Sequence, residues 1–285
     1  MCFCTGMRKT SSHKRYLVLG ANGYLGSRLY LSLKRSNLDV RGTSRNKNDT
    51  DLLYLDTSAE SSVVNFPWKN FDKIVDCIGN VDYSNSTEAT YKNILINVLG
   101  PVSIVKNLSK GQIYYYLSTH AVLLSGEKHN TYSLSKLLFE QLLKKMNDIE
   151  SKVTLVRMPA VFSGDRNGGL FHKIKSSFYN KKPIVIDFIS YKWHPMLADR
   201  AIGILKKVVL SEDYITKIDI GYPAECSIND ILACAENIYR GKYVTVRNIQ
   251  TDHYIPNTNE QDKICRINSI LMNNDIKLFF NAPIR

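Results

Sequence analysis

The sequence predicts a doubly wound α/β fold, a parallel sheet with helices on both faces, followed by a smaller C-terminal α/β lobe. Three observations predict it. Short apolar runs of strand length alternate with helix-patterned stretches from Tyr16 to Arg157. The stretches between the runs are long enough for the helical crossovers that parallel strands require. Three glycines, Gly20, Gly23 and Gly26, stand at the first strand-to-helix junction.

The first strand is Tyr16-Leu-Val-Leu-Gly20, an apolar run closed by glycine. Residues 24–33 have helical spacing, with Leu25, Leu29, Leu31 and Leu33 apolar. Further strands are expected over 39–43, 52–55 and 73–78. A long helix is expected over 86–108, with a kink or break because Pro101 removes a backbone donor. A fifth strand follows over 113–117, a helix over 132–146 and a sixth strand over 153–157. Beyond residue 160 the pattern changes. Gly164, Gly168 and Gly169 predict a mobile loop. Helices are expected over 171–179, 198–210 and 228–239, and short strands over 184–186, 217–220 and 243–247. The polar stretch 248–263 is expected to be a surface loop. The domain reading is a flexible basic tail over 1–14, a dinucleotide-binding domain over 15–160 and a substrate lobe over 161–285, with 194–222 rejoining the sheet.

The 285 residues carry 38 Lys and Arg against 26 Asp and Glu, a net charge of +12. The excess is scattered in pairs such as Lys34–Arg35, Lys144–Lys145, Lys181–Lys182 and Lys206–Lys207. That pattern suits solvated faces and an anionic small molecule, and no nucleic-acid partner is expected. With 44% hydrophobic and 22% charged residues, wholesale disorder and fibrous repeats are excluded. No run of about 18 apolar residues occurs, so no membrane span is expected. The six cysteines, at 2, 4, 77, 226, 234 and 265, have neither zinc-finger nor redox spacing, and the tail has no secretory apolar run. No metal centre and a reducing, cytoplasmic compartment are the expectation.

The turn Gly20-Ala-Asn22-Gly23-Tyr24-Leu25-Gly26 has the makings of a phosphate cradle. Glycines let the backbone approach a pyrophosphate, and the next helix offers free N–H groups and the positive end of its dipole. The end of the second strand, Arg41-Gly-Thr-Ser44-Arg45, carries no acid for a ribose 2′-hydroxyl. Ser44 and Arg45 can instead hold a 2′-phosphate, so NADP(H) is favoured and NAD(H) remains possible. Asp56 is either an adenine contact or a helix-capping acid. Ile78, Gly79 and Pro159 complete the expected cofactor contacts.

Tyr132-Ser-Leu-Ser-Lys136 places a phenol and an ammonium four residues apart, on one helix face. A neighbouring cation favours the phenolate, which lets a tyrosine trade protons near neutral pH. Thr119, with Ser118 second, is the hydroxyl expected to orient a substrate oxygen from the fifth strand. Asn97 either holds a water in a relay with Lys136 or satisfies the backbone broken by Pro101.

Together, Gly20-x-x-Gly23-x-x-Gly26, Asn97-Val-Leu-Gly100, Leu117-Ser-Thr119, Tyr132-x-x-x-Lys136, Arg157-Met-Pro159 and His194-Pro-Met-Leu-Ala-Asp199 resemble the extended short-chain dehydrogenases/reductases over residues 15–275. The resemblance implies a Rossmann domain, a catalytic triad of Thr119, Tyr132 and Lys136 with Asn97 as relay, and a homodimer joined through helices 86–108 and 132–146. In the family's dehydratases the triad hydroxyl is followed by Asp-Glu. His120 and Ala121 stand there, so elimination is not expected. Fucose-forming epimerase-reductases have a cysteine where Ala121 stands. Residues 40–46 are also similar to plant-type ketone and cinnamoyl reductases, which keeps non-sugar carbonyl substrates open.

Arg157, Arg166, His172, Lys173, Lys175 and His194 are the candidates to meet a substrate diphosphate, and Ser118 and His120 are further candidate substrate contacts. Trp193 is expected to pack at the core or rim. The functional expectation is an NADPH-dependent reductase of a 4-keto-6-deoxy-hexose nucleotide. The alternatives are a nucleotide-sugar 4-epimerase with tightly bound NAD, and a non-catalytic NADP-binding regulator.

Overall fold

A computed structural model describes residues 14–124, 129–166, 168–187, 191–192, 194–223, 226–247, 252–253, 257–265, 267 and 270–282. The first half runs β1 (Arg15–Leu19), α1 (Tyr24–Lys34), β2 (Asp39–Ser44), β3 (Leu53–Tyr54), α2 (Glu60–Val64), β4 (Lys73–Asp76), α3 (Thr87–Ile94), α4 (Gly100–Asn107), β5 (Ile113–Thr119), α5 (Thr131–Leu143) and β6 (Lys152–Met158). The second runs β7 (Val161–Phe162), α6 (Gly169–Asn180), β8 (Ile184–Asp187), β9 (Tyr191–Lys192), β10 (Met196–Leu197), α7 (Ala198–Leu210), β11 (Lys217–Asp219), α8 (Ile228–Tyr239), β12 (Val244–Arg247), β13 (Asp252–His253), α9 (Asn259–Ile264) and α10 (Ile270–Asn281).

Seven strands form the central sheet in the order β11-β6-β5-β4-β1-β2-β3, and every pairing is parallel. Strands covered on both faces need apolar residues at successive positions. Alternate residues accordingly feed two cores. Leu17, Ile74, Tyr114 and Tyr116 pack on one side, and Val18, Val75, Tyr115 and Leu117 on the other. The strand order reverses between β1 and β4, which opens a crevice at their carboxyl ends. Among the described residues no helix is long and apolar enough to cross a membrane.

The expected 86–108 helix is divided by a π turn, Leu95–Leu99, one turn ahead of Pro101. Pro101 cannot donate to the carbonyl of Asn97, four residues earlier. The Tyr116 hydroxyl donates to that carbonyl instead, at 2.7 Å. The break therefore falls where the partner is lost, and β5 repairs it. The fourth strand ends at Asp76, two residues early, because the Asp76 carboxylate accepts from the Ile78 N–H at 2.9 Å and turns the chain.

In the second lobe, β8 pairs with β12 beside α6, α8 and α10. The glycine loop after β7 is tied to α1: the Tyr24 and Ser163 hydroxyls bond at 2.6 Å and Arg28 pairs with Asp165. The expected surface loop 248–263 contains β13 and α9. Within α9, Gln261 is fully buried, donating to the Gly221 carbonyl and accepting its N–H at 2.9 and 2.8 Å. Polar composition concealed a helix whose amide serves a buried main chain. Trp193, Cys2 and Cys4 lie outside the described residues.

Tyr116→Phe keeps the ring and orphans the Asn97 carbonyl. Denaturant unfolding is expected to register a loss of about 1–3 kcal/mol. An unchanged midpoint would mean that the carbonyl is satisfied elsewhere.

Candidate active site

Gly20 adopts φ +67°, a left-handed conformation that favours glycine. A Cβ on Gly26 would stand 2.1 Å from the Gly20 carbonyl oxygen, so only glycine lets α1 start this close to β1. The N-cap of α1 is Gly23, which brings no capping side chain. The turn therefore leaves the helix N-terminus to an outside acceptor, as a phosphate-binding turn must. Asn22 and Gly23 are exposed at its rim, with Tyr24 and Leu25 half-buried behind them. These residues fit a dinucleotide pyrophosphate.

The end of β2 departs from expectation. The Ser44 hydroxyl is taken by a carboxylate, Asp49, which the following loop folds back onto the strand end. Asn22 Nδ2 donates to both, at 2.8 Å to Ser44 and 3.2 Å to Asp49. Arg45 is exposed and has no hydrogen-bonding partner among the described residues. An acid thus stands at the strand end after all, displaced five residues along the chain. Asp56 Oδ1 accepts from the N–H and the hydroxyl of Ser58, at 3.0 and 2.6 Å. Local capping is the role this geometry gives it.

Tyr132, in the first turn of α5, faces the Thr119 hydroxyl at the end of β5, near enough for that hydroxyl to favour its phenolate. Asn130 caps the helix by accepting from the Ser133 N–H at 2.8 Å. Lys136, one turn on, is buried, donates to the Leu117 carbonyl at 2.9 Å and lies 4.4 Å from the centre of the Tyr116 ring. One turn further, Glu140 accepts from Ser118 at 2.6 Å and from both arms of Arg157, at 3.1 and 2.6 Å. Ser118 and Arg157 are therefore occupied in fixing α5 on the sheet and do not face a substrate. Glu140 went unnoticed in the sequence, although a lone acid eight residues after Tyr132 on the same face was its signal.

Burial holds the Tyr132 phenol above the ordinary tyrosine range, and Tyr83, 5.5 Å away ring to ring, adds to this. The Thr119 hydroxyl and the Arg166 guanidinium oppose it. Burial also lowers Lys136 to about 8, against the pull of Asp76, Cys77 and Glu140. The cation acting on Tyr132 is thus Arg166, not Lys136 as the spacing suggested. Cut off from water, the ammonium has settled on the Leu117 carbonyl.

The Asn97 side chain does not serve the backbone freed by Pro101, which Tyr116 satisfies. Its Oδ1 accepts the Asn80 N–H at 2.9 Å, and its Nδ2 donates to the Asn80 carbonyl and to Ser135, both at 2.9 Å. It clamps the loop after β4. A Cβ on Gly79 would lie 3.6 Å from both Asn97 Oδ1 and Lys136 Nζ, so this exposed glycine sits directly over the two side chains. Ile78 is half-buried beside it, and Pro159 is buried just past β6.

Of the candidate substrate groups, Arg166 alone converges on Tyr132, with its guanidinium 4.8 Å from the Tyr24 ring. His120 and His194 are buried, 1% and 2% exposed, with ring centres 6.3 Å apart. His194 is tied to the Tyr222 carbonyl at 3.1 Å, and burial lowers His120 to about 3. Their rings pack inside the fold, so they do not meet a diphosphate. Lys175 is buried too, donating to the Phe279 carbonyl at 2.5 Å. His172 is half-buried in the first turn of α6, and Lys173 is exposed. No cluster of three or more His, Cys, Asp or Glu side chains placed for a metal occurs among the described residues.

The model of the NAD dependent epimerase/dehydratase family matches residues 16–186. A search of curated protein sequences finds no match. Solved structures share the fold. The Bacillus cereus UDP-glucuronic acid 4-epimerase in complex with UDP-glucuronic acid and NAD has a TM-score of 0.75 at 16% identity, covering 94% of this chain and 98% of its own. The Thermotoga maritima UDP-glucose 4-epimerase with UDP-glucose has a TM-score of 0.75 at 12% identity, covering 93% and 97%. RMD from Pseudomonas aeruginosa, complexed with NADPH, has a TM-score of 0.73 at 13% identity, covering 94% and 97%.

The lowered Lys136 carries a pH signature. Between about 8 and the ordinary 10.5, the unfolded chain holds a proton that the folded chain has released. That group therefore makes stability rise with pH across this window, and its penalty is fully present below 8. In Lys136→Met this rise is expected to be lost, so the wild-type unfolding free energy should gain on the variant from pH 8 to 10. Parallel pH profiles would show that Lys136 titrates normally.

Proposed function

The chain belongs to the NAD dependent epimerase/dehydratase family, and on that premise we propose that it acts on a nucleotide-activated sugar with a nicotinamide dinucleotide, exchanging a hydride and a proton at a ring alcohol or ketone, C4 by preference. The observation that carries the reading is Tyr132 facing Thr119 at the carboxyl edge, beside a glycine turn that leaves a helix N-terminus free. Gly20, Asn22, Gly23 and Gly26 would hold the pyrophosphate. Bound there, the dinucleotide supplies the hydride donor or acceptor.

The chain's own residues handle the oxygen. In the reducing direction Tyr132 delivers its proton to the carbonyl oxygen, and Thr119 orients that oxygen. A phenol held above its ordinary range is protonated at neutral pH, as a donor must be. Lys136, held in place by the Leu117 carbonyl, lies one helical turn below. Arg166 is the cation available to a substrate anion. Elimination is disfavoured because His120 and Ala121 follow Thr119 where an acid–base pair would be needed, and His120 is sealed in the core. Net ketone reduction and 4-epimerisation both use this machinery. The neighbours named above comprise two 4-epimerases, one with NAD, and a protein bound to NADPH.

The partner in this reading is a second copy of the chain. Leu134, Leu138 and Leu142 are exposed at successive turns of α5, and Tyr91, Ile94 and Leu99 are exposed on the neighbouring α3 and π turn. A contiguous apolar face of this kind calls for a cover.

Two measurements bear on this. Tyr132→Phe is expected to lose about 10²–10⁴-fold in rate with unchanged dinucleotide affinity. The assay follows UDP-glucose, UDP-glucuronic acid and a dTDP-4-keto-6-deoxy-hexose by NMR, with NADH or NADPH present. Full activity in the variant, or no turnover of any of these by the wild type, would sink the reading. Sedimentation should find a dimer, and Leu138→Glu should shift it to monomer; a wild-type monomer would remove the partner.

A further inference from the structure

We infer that Tyr83 is a positioning residue, an aromatic cover held against Tyr132 that keeps water from its phenol. The inference rests on the reading above that Tyr132 handles the proton, but its observation is separate. The chain between β4 and α3 has no regular structure, yet Tyr83 is pinned from both sides. Just before it, the Asp82 carbonyl accepts from Asn93 Nδ2 at 2.9 Å. Just after it, the Ser84 carbonyl accepts from the Thr131 hydroxyl at 2.9 Å. The two anchors are joined, because Asn93 Nδ2 also donates to Thr131 Oγ1 at 2.8 Å. Asn93 is fully buried, and its Oδ1 accepts from Asn80 Nδ2 at 2.8 Å. The Asp82 carboxylate accepts from the Ser84 N–H at 2.9 Å, which closes the turn that presents Tyr83.

Thr131 is the residue next to Tyr132, so the loop is tied to the same helical turn that carries the phenol. The rings of Tyr83 and Tyr132 meet edge to face, with centres 5.5 Å apart and planes at 80°, an arrangement aromatic pairs prefer. Tyr83 is nevertheless 60% exposed, so its own burial gives little reason to hold it there. The reason lies in what it covers, since Tyr132 beneath it is half-buried. Besides Tyr83, the groups that face Tyr132 are Thr119 and Tyr116 on β5 and Arg166 after β7. Arg166 opposes burial at both phenols. The other charges of the packed elements are engaged elsewhere. On α5 Lys136 is held by the Leu117 carbonyl and Glu140 by Arg157, and on α3 Glu88 pairs with Lys92. The π turn has no titratable residue, and His120 is sealed in the core. Removing the Tyr83 ring leaves all of these in place and admits water, which favours the phenolate.

The test is carbon NMR of the full chain labelled at tyrosine Cζ, with the Tyr132 signal identified by its loss in Tyr132→Phe. In Tyr83→Ala the Tyr132 phenolate should form at least about one pH unit lower than in the wild type. Tyr83→Phe keeps the ring and should keep most of the difference. The alkaline limb of the reductive pH–rate profile should move down with the phenol in Tyr83→Ala, a shift that a merely structural role for Tyr83 would not produce. An unchanged Tyr132 signal in Tyr83→Ala, or an equal fall in Tyr83→Phe, overturns the cover and leaves the proposed function standing. Should Tyr83→Ala not fold, Tyr83→Leu takes its place with the same two outcomes. Full activity in Tyr132→Phe overturns the proposed function, and the use assigned to the cover falls with it.

Discussion

A buried carboxylate, Glu140, joins the helix that carries Tyr132 to the sheet. It accepts from Ser118 on β5 and, bidentately, from Arg157 on β6, and Arg157 lies 3.8 Å from Asp219 on β11. Tyr132, Lys136 and Glu140 recur every fourth residue, so one turn of slippage would carry all three from their partners at once. Planar, two-pronged pairing resists such slippage better than apolar packing, which tolerates small slides. Removing one member of a buried ion pair leaves the other uncompensated, at about 3–5 kcal/mol. The acid–base geometry is therefore set by a group one and two turns away from it.

The opposite wall of the crevice is fixed by a different device. The π turn before Pro101 aims the Asn97 side chain at the main chain of Asn80 and at Ser135 of α5. One interrupted helix thus holds both the loop that carries Gly79 and the helix that carries Tyr132. Its interruption costs a main-chain bond that Tyr116 replaces, and the Tyr116 ring also backs the Lys136 ammonium. The sequence features around residues 97–101 make sense as one structural unit.

What could be read in advance was what depends on local spacing. Alternating apolar runs gave the sheet, and the glycine triplet and the Tyr132–Lys136 interval located the crevice. What escaped depended on chain folding over longer distances or on where a polar group spends its bonds. Asp49 reaches the end of β2 only because loop residues 46–52 close on themselves, so a search of the strand end alone missed it. His120, His194 and Lys175 have polar side chains, yet each is drawn inside by a buried main-chain group, Ile220, Tyr222 and Phe279 respectively. The same holds for Gln261, where polarity in sequence suggested a loop. Residue type alone cannot separate a lysine that meets solvent from one that caps a buried carbonyl.

The electrostatics of the crevice converge on one phenol. Tyr132 is neutral because burial outweighs the help of Thr119 and Arg166. Arg166 arrives on a loop that is latched to α1 through Tyr24–Ser163 and Arg28–Asp165, so the field on the phenol depends on the second lobe lying against the glycine turn. Any positive charge added to the crevice favours the phenolate, and its neutralisation returns the phenol. Under the proposed function an oxidised nicotinamide would be such a charge and a reduced one would not. A tyrosine poised by burial, with the Arg166 guanidinium opposing that burial, would be drawn toward phenolate beside a positively charged ring and returned to phenol beside a neutral one. That is the alternation an enzyme needs if the same phenol is to serve oxidation of an alcohol and reduction of the ketone it becomes.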